Sequence, residues 1–369
     1  MPFGRHERHP GTMNRTIRFL LLLPGLSVLQ GCYEIGPTRL DRDQSDYSRA
    51  LTSSAKQQTL LNVVRLRYAD TPGFLDTTQL ISGYQLQRNI SVGIGNYSAT
   101  RPYGGAGMQV QESPTFTFQP VTGDAYAQSF LRPLPPGNLL PLAMGGLPID
   151  VLFRLAVQSI NLINNTGSLG GDVGRASPAF FDLIYDLRLL QLAGLLGIQL
   201  ERNPAATDKD ALADRVFLSI ASTDNPDLTK VVHDTRRLLG MAQDDERVEV
   251  VYGGGRPRRG QIQLLTRTVL GVLGQIAYQI DVPEEDIASG RTRPTIKMVG
   301  RVTRPIVVVH VTKERPGAVF SWTSYNHKFY WIADDDFDSK LAFTMLQILL
   351  ELSKTSKGPN TIVTIPANG

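Results

Sequence analysis

The chain contains one cysteine, Cys32, and it stands directly behind an apolar leader. A lone cysteine excludes a disulfide framework and any cysteine-based zinc finger, so the folded part must hold together by burying apolar surface. Apolar residues make up 41% of the chain, which supplies that surface and excludes a disordered polymer. Ahead of the cysteine, Met13-Asn-Arg-Thr-Ile-Arg18 is a short basic segment. Phe19 to Leu29 is an apolar run interrupted by Pro24 and Gly25. The run is too short for a stable membrane span, so residues 1–31 read as a signal peptide, with Met13 a cleaner start than Met1. This leader also holds most of the basic excess. It carries Arg5, Arg8, Arg15 and Arg18 against Glu7 alone, and without it the formal charge falls from +4 to +1. Nucleic-acid binding loses its main support.

Leu29-Gln30-Gly31-Cys32 resembles the lipobox of bacterial lipoproteins. The resemblance implies a diacylglycerol on the Cys32 sulfur, cleavage before Cys32 and an acylated (palmitate-type) new amine. Leu29 and Gly31 fit the pattern, whereas Gln30 replaces the usual Ala, Ser or Thr. Tyr33 stands where an Asp would imply inner-membrane retention, so the resemblance points to the outer membrane, facing the periplasm. Two or more acyl chains hold a protein stably where one does so only marginally.

Residues 32–45 read as the lipidated cysteine and a polar tether, and residues 46–369 as one α+β globular domain. The helical pattern from Asp46 to Ala69 stops at Thr71-Pro72-Gly73. Residues 74–97 and 106–119 are strand-like, and 123–164 read as short helices broken by prolines. Ser177-Pro178 opens an apolar helix to about Leu196. Strands follow near 197–201 and 216–221, a helix from Asn225 to Met241, a strand at 246–252, a glycine-rich turn, a strand at 260–265 and a helix at 266–280. The last part reads as strands near 305–312, 317–324 and 327–332, a helix from Asp336 to Lys354 and a short strand from Thr361 to Ile365. Hairpins beside helices, without a βαβ repeat, predict an α+β fold of mainly antiparallel strands packed with amphipathic helices.

Several stretches resemble an uncharacterised family of bacterial lipoproteins. They are Leu60-Leu-Asn-Val-Val-Arg-Leu-Arg-Tyr-Ala-Asp70 with Phe74-Leu75-Asp76, Ser113-Pro-Thr-Phe116, Thr266-Arg-Thr with Val282-Pro283, and Trp331-Ile-Ala-Asp-Asp-Asp-Phe-Asp-Ser-Lys340. That family brings no activity and no catalytic residues.

Constellations that could carry chemistry are sparse. Ser53-Ser54-Ala55-Lys56 matches the Ser-x-x-Lys of penicillin-recognising enzymes. Its companion motifs are replaced by Thr223-Asp224-Asn225 and Lys354-Thr355-Ser356, so it reads as a solvated helix surface. Asp334, Asp335, Asp336 and Asp338 lack calcium-loop spacing and read as a cap and dipole partner of the last helix. On that helix Phe337, Leu341, Met345, Ile348 and Leu352 form the expected core stripe, with Phe343, Leu346 and Leu350 a second row. His233, His310 and His327 have no paired ligand spacing, so no metal and no cofactor is expected. Gly93-Ile94-Gly95 lacks the rest of a dinucleotide fingerprint. Gly253 to Gly260, with Arg256, Arg258 and Arg259, lacks the ending of a P-loop. Arg65 and Arg67 read as structural ion-pair partners of Asp70 and Asp76. No catalytic set stands out.

The hairpin over residues 84–119 carries the most information. Tyr84, Leu86, Ile90, Val92 and Ile94, then Ala106, Met108 and Val110, alternate with small or neutral polar residues. Such a hairpin either lies over its own domain or supplies strands to an oligomer or a membrane barrel. The expected function is that of an envelope lipoprotein, held at the membrane by its lipid. It would act as a non-enzymatic structural or interaction module with an envelope protein partner. Alternatives are a subunit of an oligomeric pore or secretion channel, and an envelope hydrolase.

Overall fold

The computed structural model describes residues 37–93, 103–166, 176–202, 214–242, 244–296, 298 and 300–354. The side chains of 37–44, 76–93, 103–119 and 214 are not part of the description. Leu29 to Cys32, Ile94 and Thr361 to Ile365 therefore lie outside the described residues. Contacts divide the chain into residues 1–55 and 56–369. In the first unit the described part is the start of helix α1 (Pro37–Arg67), which begins nine residues before the expected Asp46 and takes up part of the expected tether. An exposed Asp46–Arg49 ion pair at 3.1 Å lies one turn apart on it.

The second unit is α+β. A six-stranded sheet has the order β4-β3-β8-β7-β6-β5, built from β3 (Val157–Ile160), β4 (Ile163–Asn164), β5 (Leu196–Arg202), β6 (Asp214–Ile220), β7 (Val248–Tyr252) and β8 (Gln261–Thr266). All its neighbours are antiparallel except β7 and β8. Parallel neighbours usually need a long crossover. Here residues 253–260 return the chain directly, with Gly253 and Gly255 at φ +155° and +148°, conformations that disfavour any side chain. The glycine-rich segment is thus a turn.

A second sheet, order β10-β11-β9, joins β9 (His310–Thr312), β10 (Ser321–Tyr325) and β11 (Lys328–Ile332). Asn326 and His327 close the β10–β11 hairpin with φ of +47° and +61°, as a two-residue primed turn requires. Residues 157–164, expected to be helical, instead form β3 and β4. Val157, Ile160 and Ile163 favour strands, and Asn161 pins the turn. Its side chain donates to the Leu239 carbonyl at 2.8 Å and accepts from the Gln263 amide at 2.8 Å.

The core is apolar and continuous. Helices α3 (Pro136–Met144), α4 (Ile149–Ala156), α5 (Pro178–Leu192), α6 (Pro226–Leu239), α7 (Val269–Ala277) and α9 (Phe337–Ser353) contribute Leu139, Leu152, Phe180, Leu187, Leu239, Val272 and Phe343, all buried. Two short helices, α2 (Gly123–Tyr126) and α8 (Glu284–Ala288), complete the set, with a π-helical turn at Ala127–Leu131.

The α9 stripe differs from the expected one. Asp336 caps the helix, accepting from the Ser339 amide at 3.1 Å. Phe337 is 71% exposed and Leu352 44%, whereas Ala342, Phe343, Met345, Leu346, Leu349 and Leu350 are buried. The second row faces the core. Of the first, Met345 is buried and Leu341 packs partly buried against the core, whereas Phe337 flanks the cap on the solvent side and Leu352 is exposed.

Candidate functional site

Strands β1 (Leu75–Gly93) and β2 (Tyr103–Pro120) form a two-stranded sheet of their own. Their antiparallel register runs from Leu75↔Pro120 to Gly93↔Tyr103 with one irregularity between Thr77 and Gln79. At about 3.3 Å per residue a ribbon of this length extends roughly 60 Å. Opposed residues share a face, so Leu86↔Val110 and Ile90↔Ala106 place apolar positions of both strands together, with Met108 opposite the charged Arg88 between them. The other face carries Gln85↔Gln111, Gln87↔Gln109 and Asn89↔Gly107. Sequence alternation gave each strand an apolar side, and the register brings the two onto one face. Among the described residues no third strand pairs with either edge.

The root of the ribbon is built firmly. Asn62 on α1 accepts from the Gly73 amide at 3.0 Å and donates to the Gly73 carbonyl at 2.7 Å. Across the ribbon, the Val121 amide donates to the Phe74 carbonyl at 3.0 Å. The Phe74 ring stacks on Phe130 at 3.8 Å and 17°, with Tyr126 beside both. Phe130 is 2% exposed, so the aromatic cluster ties both ends of the ribbon to the core. Sequence reading missed this clamp because its three aromatics come from two separate segments.

A second polar centre gathers around Asp286, also missed in the sequence because its members lie far apart. Its carboxylate accepts from Tyr68 Oη at 2.8 Å, Lys328 Nζ at 2.9 Å and Arg291 Nη1 at 3.1 Å. Tyr68 and Tyr330 hydroxyls lie 2.7 Å apart. Burial alone would raise the Asp286 carboxyl, but hydrogen bonds from Lys328, Tyr68 and Arg291 hold it below the usual carboxylate range. Burial, then the bonds to Tyr330 and Asp286, push the Tyr68 hydroxyl far above the ordinary phenol range. This centre joins α1, α8 and β11, and its carboxylate is spent on three donors. It acts as a structural clamp.

Arg67, expected to pair with acidic neighbours, is instead buried. It donates to the Ile280 carbonyl and to the hydroxyls of Thr292 and Thr295. Asp70 accepts from Tyr325, and the Asp76 side chain is outside the description. The end of α1 turns Arg67 inward, where carbonyl and hydroxyl oxygens satisfy the fork without a second charge. Arg267, 2% exposed, donates to the Thr166 carbonyl and pairs with no carboxylate among the described residues. Burial pulls its guanidinium down to about 9.

The remaining sequence candidates stay apart. Ser53 is exposed on α1, and Lys56 lies over the Phe320 ring at 3.9 Å. Asp336 and Asp338 pair with Arg304, and Asp334 with Lys340. His233 is exposed beside Asp234, His310 stacks on Trp331, and His327 sits in the hairpin turn. No three metal-ligating side chains converge among the described residues, and none of the described helices is long and apolar enough to cross a membrane. Comparison with protein-family models, curated proteins and solved structures finds no match to this chain.

Proposed function

We propose that this chain is a bacterial envelope lipoprotein, anchored to the outer membrane through Cys32 and facing the periplasm. Its α+β body carries a non-enzymatic interaction module, the β1–β2 ribbon. The ribbon is the observation that supports the reading. A two-stranded sheet with no third strand on either edge among the described residues offers two rows of backbone donors and acceptors, which is a template for pairing with another chain. The aromatic clamp at Phe74 and Phe130 holds that template to a stable core. The lipid raises the module's effective concentration for partners at the membrane surface.

The anchor is tested by intact-mass analysis of the protein purified from envelope membranes. Loss of residues 1–31 with a gain of acyl mass is the expected outcome, and Cys32→Ala should move the protein to the soluble fraction. A retained leader or an unmodified Cys32 sinks the lipoprotein reading.

A second reading makes the ribbon one strand pair of an oligomeric pore. Its support is strand length: 19 and 18 residues, against about 9–11 needed to cross a bilayer. A barrel would also close the edges that an isolated hairpin leaves open in lipid. Lysine at Ile90, Val92 and Val110 separates the two readings. In a pore the triple variant abolishes conductance in planar bilayers while the body keeps its melting temperature. A wild-type protein without conductance removes the pore reading.

A further inference from the structure

A groove of about 800 Å³ lies in the second unit, where the π-helical turn, the start of α3, β6, β7 and the last turn of α9 meet. That is within the roughly 300–1,000 Å³ of small-molecule sites. Leu134, Leu139, Val216, Val250, Leu349 and Leu352 make its walls mainly apolar. Its charged lining residues are three cations, Arg132, Arg215 and Lys354, against one carboxylate, Glu249. Glu249 is already taken by Arg215 at 2.7 Å, and Lys354 lies 2.8 Å from Glu351. Arg132 is exposed and pairs with no carboxylate among the described residues. The groove thus joins an apolar interior to a cationic rim.

The backbone around it decides what kind of molecule fits. Pro133, Pro135 and Pro136 line the groove and have no N–H to offer. The Leu134 amide donates to the Arg267 carbonyl at 3.0 Å, and the Leu134 carbonyl accepts from the Thr266 hydroxyl at 2.6 Å. The Asn138 and Leu139 amides both donate to the Pro135 carbonyl. Strands β6 and β7 lie inside the six-stranded sheet, each with a neighbour on both sides. An extended peptide laid here would bury its own amides and carbonyls with few backbone partners, which is costly. An alkyl chain has no such groups, so apolar walls satisfy it. One negative charge at the end of that chain would meet the surplus cation at the rim.

We infer that the groove binds one long-chain fatty acid, its chain along Leu134, Val216, Val250 and Leu349 and its carboxylate at Arg132. The inference stands apart from the envelope reading, since it requires neither the Cys32 lipid nor the ribbon.

Fluorescence titration with cis-parinaric acid, a polyene fatty acid that brightens in apolar surroundings, tests it. The protein is the full chain carrying Cys32→Ala, which has no acyl chain of its own to place in the groove. Saturable binding of one probe per chain is expected. Displacement by saturated fatty acids should tighten on the order of fourfold for each methylene added, until the groove is filled. Leu352→Asp, at a wall position 44% exposed, should weaken the probe about tenfold or more with the melting temperature kept. Tyr252→Asp, at a wall position 51% exposed, should do the same and decides the matter if Leu352→Asp fails to fold. Arg132→Ala should weaken the acid about fivefold and leave its methyl ester unchanged. No saturable binding overturns the inference, and so does unchanged affinity in both aspartate variants. An equal response of acid and ester to Arg132→Ala overturns the placement of the carboxylate. Dodecyl phosphate binding about tenfold tighter than dodecanoate assigns the groove to a phosphate-bearing lipid and overturns the fatty-acid form. A dimer in light scattering that excludes the probe as protein concentration rises assigns the groove to a second copy and overturns it too.

Discussion

Asp286 sits beneath three donors, Tyr68, Lys328 and Arg291, and its side chain is 3% exposed. Removing it takes an acceptor from all three, although Lys328 keeps Glu285 at 2.8 Å and the Tyr68 hydroxyl keeps Tyr330 at 2.7 Å. Asp286→Ala should therefore cost about 1–3 kcal/mol in urea denaturation at pH 7. The pH dependence carries a sign. The folded carboxyl titrates below its ordinary value of 3.8, so the unfolded chain takes up its proton first. The stability it contributes is complete above 3.8 and is lost as pH falls through the lower folded value. Wild type should lose more stability between pH 5 and pH 2 than Asp286→Asn does. An equal loss in both would remove Asp286 as a source of the acid sensitivity. Nothing in the residues around position 286 announces this centre, because Tyr68 and Lys328 stand 218 and 42 positions away.

At the scale of elements, α9 sets capping against burial. Asp336→Ala should cost about 0.5–2 kcal/mol through the lost cap, Leu346→Ala about 2–5 kcal/mol through the cavity left behind, and Phe337→Ala close to nothing. Chemical denaturation of the three variants ranks them, and a large loss at Phe337 would reverse the assignment of its face. The helix itself was legible in the sequence, from its Asp cap to its end near Lys354. Much of the face it buries was legible too, since Phe343, Met345, Leu346 and Leu350 are buried, but the exposure of Phe337 and Leu352 at its two ends was not, because only packing decides where the stripe stops. The same limit holds for residues 157–164, where helical context upstream concealed two short strands. The α+β class and the place of most strands along the chain were readable from alternation and turns, whereas the order in which the sheets assemble them was not. The β1–β2 pair was readable almost to its ends, although the register that joins its apolar positions on one face needed the fold. The Phe74–Phe130 clamp at its root had no local signal.

For the molecule as a whole, the proposed function joins a lipid anchor to the β1–β2 ribbon, whose edges pair with no third strand among the described residues. The lipobox-like segment supplies the first half and the strand register the second. Both halves of the proposal concern the protein at a membrane, so the deciding measurement belongs there. A photoreactive amino acid is placed at Asn89 in the ribbon and, separately, at Lys230 on exposed α6, in the full chain expressed in bacterial envelope membranes. Illumination followed by mass spectrometry identifies what each position touches. The account predicts a discrete protein adduct at Asn89, either a second copy of this chain or another envelope protein, and none at Lys230. Adducts at Lys230 with Asn89 silent would contradict the ribbon as the interaction surface.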